Sequence, residues 1–148
     1  MKKLPLGIQT FRDIIEKNNL YVDKTEDIYN LLNDNGKYFF LSRPRRFGKS
    51  LLISTLEEIF LGNQDLFKGL YIYDKIEWKK YPVIKLSMND LRYSGSTTDF
   101  ENSLLYFLKN IYDKYNLKLD TDDYLIAFKG LIYKLSKIEK VVFINRLV

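Results

Sequence analysis

The chain contains no cysteine and no histidine. Without cysteine, disulfides, thiolate metal sites and cysteine nucleophiles are excluded. Without histidine, the commonest general base and metal ligand is missing, which excludes His-based hydrolase triads and zinc sites. Any chemistry must therefore come from carboxylates, lysine, arginine, hydroxyls and backbone amides.

Long apolar runs are absent as well. No stretch approaches the roughly 18 consecutive apolar residues that a membrane-spanning helix needs. The start, Met1–Pro5, carries lysines at positions 2 and 3 with no apolar segment behind them, which is unlike a secretory signal. We therefore expect a cytoplasmic protein with no membrane partner.

The composition that remains is that of a globular protein. A length of 148 residues with 46% hydrophobic residues fits one domain with a core. Core packing explains the aromatic share of 16% more simply than a base-stacking surface does. The net charge of +5 is concentrated at one place, Arg43, Arg45, Arg46 and Lys49, whereas nucleic-acid surfaces usually show a wider basic patch.

The first half of the chain predicts a helix, a strand and a second helix. Thr25 is an expected helix N-cap, with acidic residues in the first turn behind it. The apolar run Tyr38–Leu41 predicts a strand buried on both faces. Beyond Gly48, apolar residues at helical spacing predict a helix that Gly62 ends. Residues 63–80 are predicted to be irregular and anchored by aromatic and aliphatic side chains.

The second half predicts strand, helix, helix and strand. Pro82–Ser87 and Val141–Ile144 are the predicted strands. Thr98 and Glu101 form an expected capping box before one helix, and a second helix spans roughly 123–138. The apolar positions on one face of that second helix are expected to be Leu125, Phe128, Leu131, Ile132 and Leu135. The acidic cluster Asp120, Asp122 and Asp123 is interpreted as a helix start and not as a metal site.

Alternation of strands and helices predicts an α/β fold with a parallel sheet. Isolated open sheets usually contain about four to six strands, so three predicted strands indicate part of a larger sheet. The free edge of such a sheet favours self-association or a protein partner.

The segment between the first predicted strand and the helix after Gly48 is the candidate functional site. Its residues are Arg43, Pro44, Arg45, Arg46, Phe47, Gly48, Lys49, Ser50 and Leu51. Gly-Lys-Ser between a strand and a helix is the end of a phosphate-binding loop. Glycine allows the backbone to approach a phosphate, backbone amides bind the anion, and the helix N-terminus adds positive charge.

Two side chains of this loop have specific expected roles. Lys49 would reach the β- and γ-phosphates of a nucleoside triphosphate, and the Ser50 hydroxyl would bind Mg²⁺. The first glycine of the usual pattern is replaced by Arg43, which requires a backbone that avoids positive φ or accepts strain. The three arginines form a solvated basic loop, or one or two of them clamp phosphate oxygens or face the nucleotide of a neighbouring subunit; the guanidinium group suits such phosphate contacts.

The loop and its surroundings resemble the bacterial AAA-ATPase-like family. The similarity extends from Gly7-Ile8-Gln9 through Leu20–Thr25, Tyr38–Ser42 and Leu66–Ile72 to Tyr81–Ile84, and arginine at the first-glycine position is usual in that family. The resemblance implies a P-loop NTPase-like three-layer fold, ATP and Mg²⁺. It also implies that longer members often carry a C-terminal restriction-endonuclease-like domain.

By the same resemblance, Leu-Ile-Asp-Glu-Tyr-Asp is expected after Val141-Val142-Phe143. Here Ile144, Asn145 and Arg146 follow instead, and neither a neutral amide nor a cation replaces the metal-binding Asp. We therefore expect residues 1–148 to be the N-terminal portion of an AAA-ATPase-like domain, truncated after the third predicted core strand. A truncated or frameshifted reading frame would give this result, and ATP hydrolysis is expected to be impaired.

Other candidates carry simpler interpretations beside the functional ones. Gln9 and Phe11 are candidate adenine contacts by resemblance, or parts of an ordinary N-terminal segment. Lys24 and Thr25 would face the nucleotide, unless Thr25 serves as a helix cap. Ser87, Asn89 and Asp90 follow a strand where ligands bind in α/β sheets, or they form a turn.

Three functions stay open at this point. The favoured prediction is an ATP-binding domain fragment. The second is a non-catalytic remnant that acts only as a structural or interaction module. The third is a nucleic-acid-binding module that uses the arginines.

Overall fold

The computed structural model describes residues 1–42, 44, 46–88, 91 and 95–146, with only the backbone at position 146. Contacts divide the chain into two units, Met1–Lys80 and Tyr81–Val148. Within the described residues, no helix is both long enough and apolar enough to cross a membrane.

The described part of the first unit contains three helices and two short 3₁₀ turns. The helices are α1 (Phe11–Glu16), α2 (Thr25–Leu32) and α3 (Lys49–Phe60), and the turns span Gln64–Phe67 and Tyr71–Asp74. Their core contains Phe11, Ile28, Ile59, Phe67 and Ile72, all at most 4% exposed. The predicted helix after Gly48 is confirmed, and so is the anchoring of residues 63–80 by Phe67 and Ile72.

The predicted strand at Tyr38–Leu41 is wrong. This segment has no regular structure, and Tyr38 and Phe40 are 95% and 83% exposed. An apolar run forms a strand only where a neighbouring strand accepts its backbone hydrogen bonds. Within the described residues the sheet has only two strands, both from the second unit.

Thr25 is the first residue of α2 and not its N-cap, which is Lys24. The Thr25 hydroxyl donates to Asp23 Oδ1 over 2.7 Å and accepts from the Ile72 amide over 3.2 Å. Asp23 also accepts from the amides of Thr25 and Tyr71, each over 2.8 Å. These bonds join the start of α2 to the second 3₁₀ turn, which explains the complete burial of Thr25.

The second unit is a mixed α/β unit with a two-stranded parallel sheet. Strand β1 (Val83–Ser87) pairs with β2 (Val142–Arg146), so that Val83 faces Val142 and Ser87 faces Arg146. Between them lie α4 (Thr97–Lys114) and α5 (Tyr124–Ser136). The α/β prediction and the parallel pairing of the last two predicted strands are confirmed.

Helices α4 and α5 cover one face of the sheet through a common core. This core contains Ile84, Leu108, Ile111, Tyr112, Ala127, Leu131 and Leu135. The expected apolar face of α5 is only partly correct, because Leu125 and Ile132 are 55% and 39% exposed. Ala127 occupies the buried position instead, since small side chains allow helices to approach closely.

The helix starts in this unit follow different rules. Asp123 caps α5, because its Oδ1 accepts from the amides of Leu125 and Ile126 over 2.8 and 2.9 Å. The interpretation of the acidic cluster as a helix start is therefore confirmed at Asp123. The predicted capping box at Thr98 is wrong, because the N-cap of α4 is Ser96 and Thr98 lies inside the helix.

Candidate functional site

The loop before α3 turns through two left-handed residues. Arg46 has a φ of 68° and Gly48 a φ of 74°, a region that side chains other than glycine rarely adopt. The backbone demand predicted at Arg43 stays a prediction, because Arg43 lies outside the described residues, and Arg46 has a left-handed backbone that the sequence did not predict. The Gly48 conformation fits the expected role of this glycine, since a turn of this kind lets the chain enter a helix directly.

The Gly48 position is also open. An added Cβ there would have no heavy atom of the described residues within 4 Å, so these residues leave room for a ligand to approach the backbone. Gly48 is the N-cap of α3 and, having no side chain, supplies no acceptor to the first amides of that helix. The first turn of α3 therefore presents its amides to whatever lies beyond the helix end.

Lys49 and Ser50 are the first two residues of α3. The first intrahelical bond joins the Leu52 amide to the Gly48 carbonyl over 2.9 Å. The amides of Lys49, Ser50 and Leu51 precede that bond, so the helix itself supplies them with no acceptor. A helix N-terminus of this kind attracts anions through its amides and its macrodipole.

The remaining residues of the predicted loop have simple placements. Pro44, Arg46 and Phe47 are exposed, Phe47 by 64%. Leu51 is half-buried and packs against the core of the first unit. Arg43 and Arg45 lie outside the described residues, so their expected phosphate contacts stay a prediction.

A set of buried polar groups on α3 was missed by sequence reasoning. Ser54, Thr55 and Glu58 are at most 9% exposed. The Ser54 hydroxyl accepts from the Phe11 amide over 2.8 Å and donates to the Leu51 carbonyl over 2.9 Å. The Thr55 hydroxyl donates to the same carbonyl over 2.8 Å. Polar residues inside an otherwise apolar helical stripe were the available signal.

Glu58 lies one turn further along α3. Its carboxylate accepts from Arg12 Nε over 3.0 Å, from Arg12 Nη2 over 2.7 Å and from Asn63 Nδ2 over 2.6 Å. Because the hydrogen bond to Glu58 favours the charged guanidinium, the pKa of Arg12 is raised. Ser54 and Glu58 therefore both bind α1 to α3, the helix that begins at the loop.

Tyr21 adds a third contact to the same side of α3. Burial raises the pKa of Tyr21, while hydrogen bonds with the Thr55 side chain and the Lys24 backbone act in the opposite direction. The polar face of α3 therefore contacts the N-terminal segment at Phe11, Arg12 and Tyr21.

The remaining candidate nucleotide contacts of the first unit differ in their exposure to solvent. Phe11 is fully buried and stacks on Phe67 with ring centroids 4.6 Å apart, so the expected adenine contact of Phe11 is wrong. Gln9 is exposed, and its adenine contact stays a prediction. Thr25 is buried by structural hydrogen bonds, which removes it as a nucleotide contact, while Lys24 is exposed.

At the carboxyl ends of the two strands, the register brings Ser87 beside Arg146 and Leu86 beside Asn145. This is the edge where ligands bind in α/β sheets. Asn145 and Arg146, which stand where the family resemblance leads one to expect a metal-binding carboxylate, thus lie at the end of β2. Asn89 and Asp90 lie outside the described residues.

The described residues of the second unit line at least two clefts. One of about 540 Å³ is lined by residues of the α4–α5 connection, among them Asp120 and Asp122, and one of about 460 Å³ by Met88, Phe100 and Tyr124. Lys118 and Lys134 pair with Asp120 over 3.0 and 3.5 Å. Among the described residues, no group of three or more acidic side chains is arranged to hold a metal ion.

Comparison with known proteins gives one family and one curated relative. A protein of Azotobacter chroococcum mcd 1, described as an uncharacterized protein in the vnfD 5′ region, is 51% identical over 88 residues. That match covers 58% of this chain but only 17% of the relative. No solved structure matches the chain significantly. The family model described as "Predicted AAA-ATPase" matches residues 5–146, and the chain therefore belongs to the AAA-ATPase-like family.

Proposed function

We propose that this chain binds ATP together with Mg²⁺ through the segment Arg43–Leu51, as part of a P-loop NTPase-like domain. The observation that carries the proposal is the start of α3. Gly48 caps the helix in a left-handed conformation with open space at its Cα, and Lys49 and Ser50 follow at once. Membership of the AAA-ATPase-like family supports the same ligand.

The groups at this helix end fit a polyphosphate. Amides of the first turn donate hydrogen bonds to phosphate oxygens, and the macrodipole adds a partial positive charge. Lys49 would neutralise the β- and γ-phosphates, and Ser50 would supply a hydroxyl ligand to Mg²⁺. Bound Mg²⁺ neutralises phosphate charge when the nucleotide is present. Arg43, Arg45 and Arg46 are close enough in sequence to contact phosphate oxygens by their guanidinium groups.

Hydrolysis is proposed to be impaired. Asn145 and Arg146 occupy the end of β2, where ATP hydrolysis needs a carboxylate for the metal and a base for water. Neither a neutral amide nor a cation supplies these groups. We expect turnover near background, while binding depends on the loop alone.

The proposal is tested by isothermal titration calorimetry, in which Mg-ATP is titrated into the wild type and into Lys49→Ala. We expect wild-type binding in the micromolar range and a loss of about tenfold or more in the variant, because an ammonium group beside the phosphates is removed. Lys68→Ala is the matched control, since it removes the same charge from an exposed position. Equal affinities of all three proteins would contradict the proposed site.

The alternatives have distinct outcomes in the same experiment. Absence of binding by the wild type would favour a structural or interaction module. A partner strand would then pair with an edge of the sheet that β1 and β2 form. Binding of DNA with a steep dependence on salt, and no effect of ATP, would favour a nucleic-acid-binding module.

A further inference from the structure

The hydroxyl of Ser54 lies between the N-terminal helix and the proposed phosphate loop. It is 9% exposed at the residue level and makes two hydrogen bonds, one as acceptor and one as donor. The Phe11 amide donates to Ser54 over 2.8 Å, and Ser54 donates to the Leu51 carbonyl over 2.9 Å. A single side chain thus joins the first residue of α1 to the first turn of α3.

The next bond continues in the same direction. The Leu51 carbonyl and the Leu52 amide belong to one peptide group, and the Leu52 amide donates to the Gly48 carbonyl over 2.9 Å. The Gly48 carbonyl in turn shares a peptide group with the Lys49 amide. That amide precedes the first intrahelical bond and is directed out of the helix start, where an anion would lie.

We propose that Ser54 is a positioning residue that couples docking of the N-terminal segment to nucleotide binding. The inference rests on the proposed function and extends it to the regulation of the same site. All hydrogen bonds of this series point the same way. Phe11 donates to Ser54, Ser54 donates to the Leu51–Leu52 peptide group, and that group donates to the Gly48–Lys49 peptide group. Hydrogen bonds aligned in this way polarise one another, so a phosphate at the Lys49 amide strengthens the bond at Phe11, and docking of Phe11 strengthens phosphate binding.

The neighbouring contacts distinguish this role from simple attachment of α1. Arg12 and Glu58 also hold α1 on α3, with distances of 3.0 and 2.7 Å, but their bonds do not lead to the peptide groups of the loop. Thr55 bonds the same Leu51 carbonyl over 2.8 Å without contacting the Phe11 amide. Loss of Ser54 should therefore affect the nucleotide site, whereas loss of the Arg12–Glu58 pair should affect mainly the stability of the first unit.

The test uses the full chain with Ser54→Ala, Ser54→Thr and Arg12→Gln, each checked for folding by circular dichroism. For Ser54→Ala we expect Mg-ATP affinity to fall by about threefold, because the aligned bonds no longer strengthen phosphate binding at the Lys49 amide. Ser54→Thr keeps the hydroxyl and should stay within about twofold of the wild type. Should Ser54→Ala fail to fold, Ser54→Cys takes its place, because it keeps the side-chain size and weakens both bonds.

A second readout would not respond to a purely structural role. In ¹⁵N-resolved NMR, the Phe11 amide proton should shift on addition of Mg-ATP to the wild type and to Ser54→Thr, but not to Ser54→Ala. The proposal is overturned if ATP binds while the Phe11 amide does not respond, or if Arg12→Gln weakens binding as much as Ser54→Ala. If the wild type does not bind ATP at all, the proposed function fails and the coupling fails with it, which separates the two results.

Discussion

Arg12 and Glu58 form a two-pronged ion pair that joins α1 to α3, with Nε–Oε1 at 3.0 Å and Nη2–Oε2 at 2.7 Å. The Glu58 side chain is 11% exposed, whereas that of Arg12 is 44% exposed. The carboxylate is therefore the more desolvated partner. Its burial depends on Arg12 and Asn63 as hydrogen-bond donors, because an unpaired buried carboxylate costs several kcal/mol.

Removing the guanidinium should destabilise the first unit. We expect Arg12→Ala to lower the free energy of unfolding by about 1–3 kcal/mol, because the Glu58 carboxylate loses two charge-assisted bonds. Urea denaturation measures the effect. Glu16→Ala is the matched control, since Glu16 contacts the same guanidinium over 3.1 Å from an exposed site and should change stability by less than about 1 kcal/mol. Equal losses in the two variants would refute the importance of Glu58 burial.

The acid sensitivity of the first unit should depend on Asp23. Burial alone would raise the pKa of this carboxyl group, but hydrogen bonds from the Tyr71 backbone and from the Thr25 side chain and backbone outweigh burial and lower it. A folded-state pKa below the unfolded value of 3.8 means that the carboxylate stabilises the fold above that value. This stability is lost as the pH falls through the lower folded-state pKa.

Asp23→Asn should therefore be less stable than the wild type at neutral pH and lose less stability on acidification below about pH 4. Thermal unfolding between about pH 2 and 7 measures both curves. Asp74→Asn serves as the control, because the Asp74 side chain is 74% exposed and its lysine partner is 3.9 Å away. Parallel curves for wild type and Asp23→Asn would show that these hydrogen bonds carry no net stability.

The left-handed conformation of two loop residues predicts opposite effects of adding and removing glycine. Arg46 adopts a φ of 68° and Gly48 a φ of 74°, so only the first carries a side chain in a left-handed conformation. We expect Arg46→Gly to be more stable than Arg46→Ala by about 1 kcal/mol, because glycine relieves the backbone strain. Gly48→Ala should be destabilising by a similar or larger amount, although its Cβ would meet no atom within 4 Å.

Chemical denaturation of the three variants decides the matter. If Arg46→Gly and Arg46→Ala have equal stability, the left-handed conformation at position 46 is not present in solution. Comparison within this pair also keeps the charge constant, since both variants remove the guanidinium group.

Elements were predictable where one periodic pattern decides the structure. Helix α3 follows from apolar residues at helical spacing after Gly48, β1 follows from a short apolar run that begins at Pro82, and β2 follows from the apolar run Val141–Ile144. These predictions needed only local information. The same apolar signal failed at Tyr38–Leu41, because a strand depends on a partner strand that the run itself does not specify.

The residues expected to bind the ligand were predictable from the sequence, but the residues that hold α1 against α3 were not. Gly48, Lys49 and Ser50 are recognised by residue type and spacing. Ser54 and Glu58 were not, because a hydroxyl or carboxylate within a helix does not reveal which distant group satisfies it. Phe11 lies 43 residues before Ser54, and Arg12 lies 46 residues before Glu58. Only the folded chain brings these partners together.

The close contact of α4 with α5 depends on Gly130. An added Cβ at Gly130 would lie 2.9 Å from the Tyr112 hydroxyl, which is shorter than any tolerated contact. Tyr112 is 2% exposed, and its hydroxyl donates to the Ala127 carbonyl over 2.9 Å. The ring is therefore held in place and cannot simply move aside.

Gly130→Ala should destabilise the second unit even though alanine favours helices by roughly 1 kcal/mol over glycine. Tyr112→Phe removes the obstructing oxygen at the cost of its hydrogen bond. In a double-mutant cycle measured by urea unfolding, we expect the second substitution to recover part of the loss, with a coupling of about 1 kcal/mol. Additive effects, or stabilisation by Gly130→Ala alone, would mean that the two helices are further apart than the contact between Gly130 and Tyr112 requires.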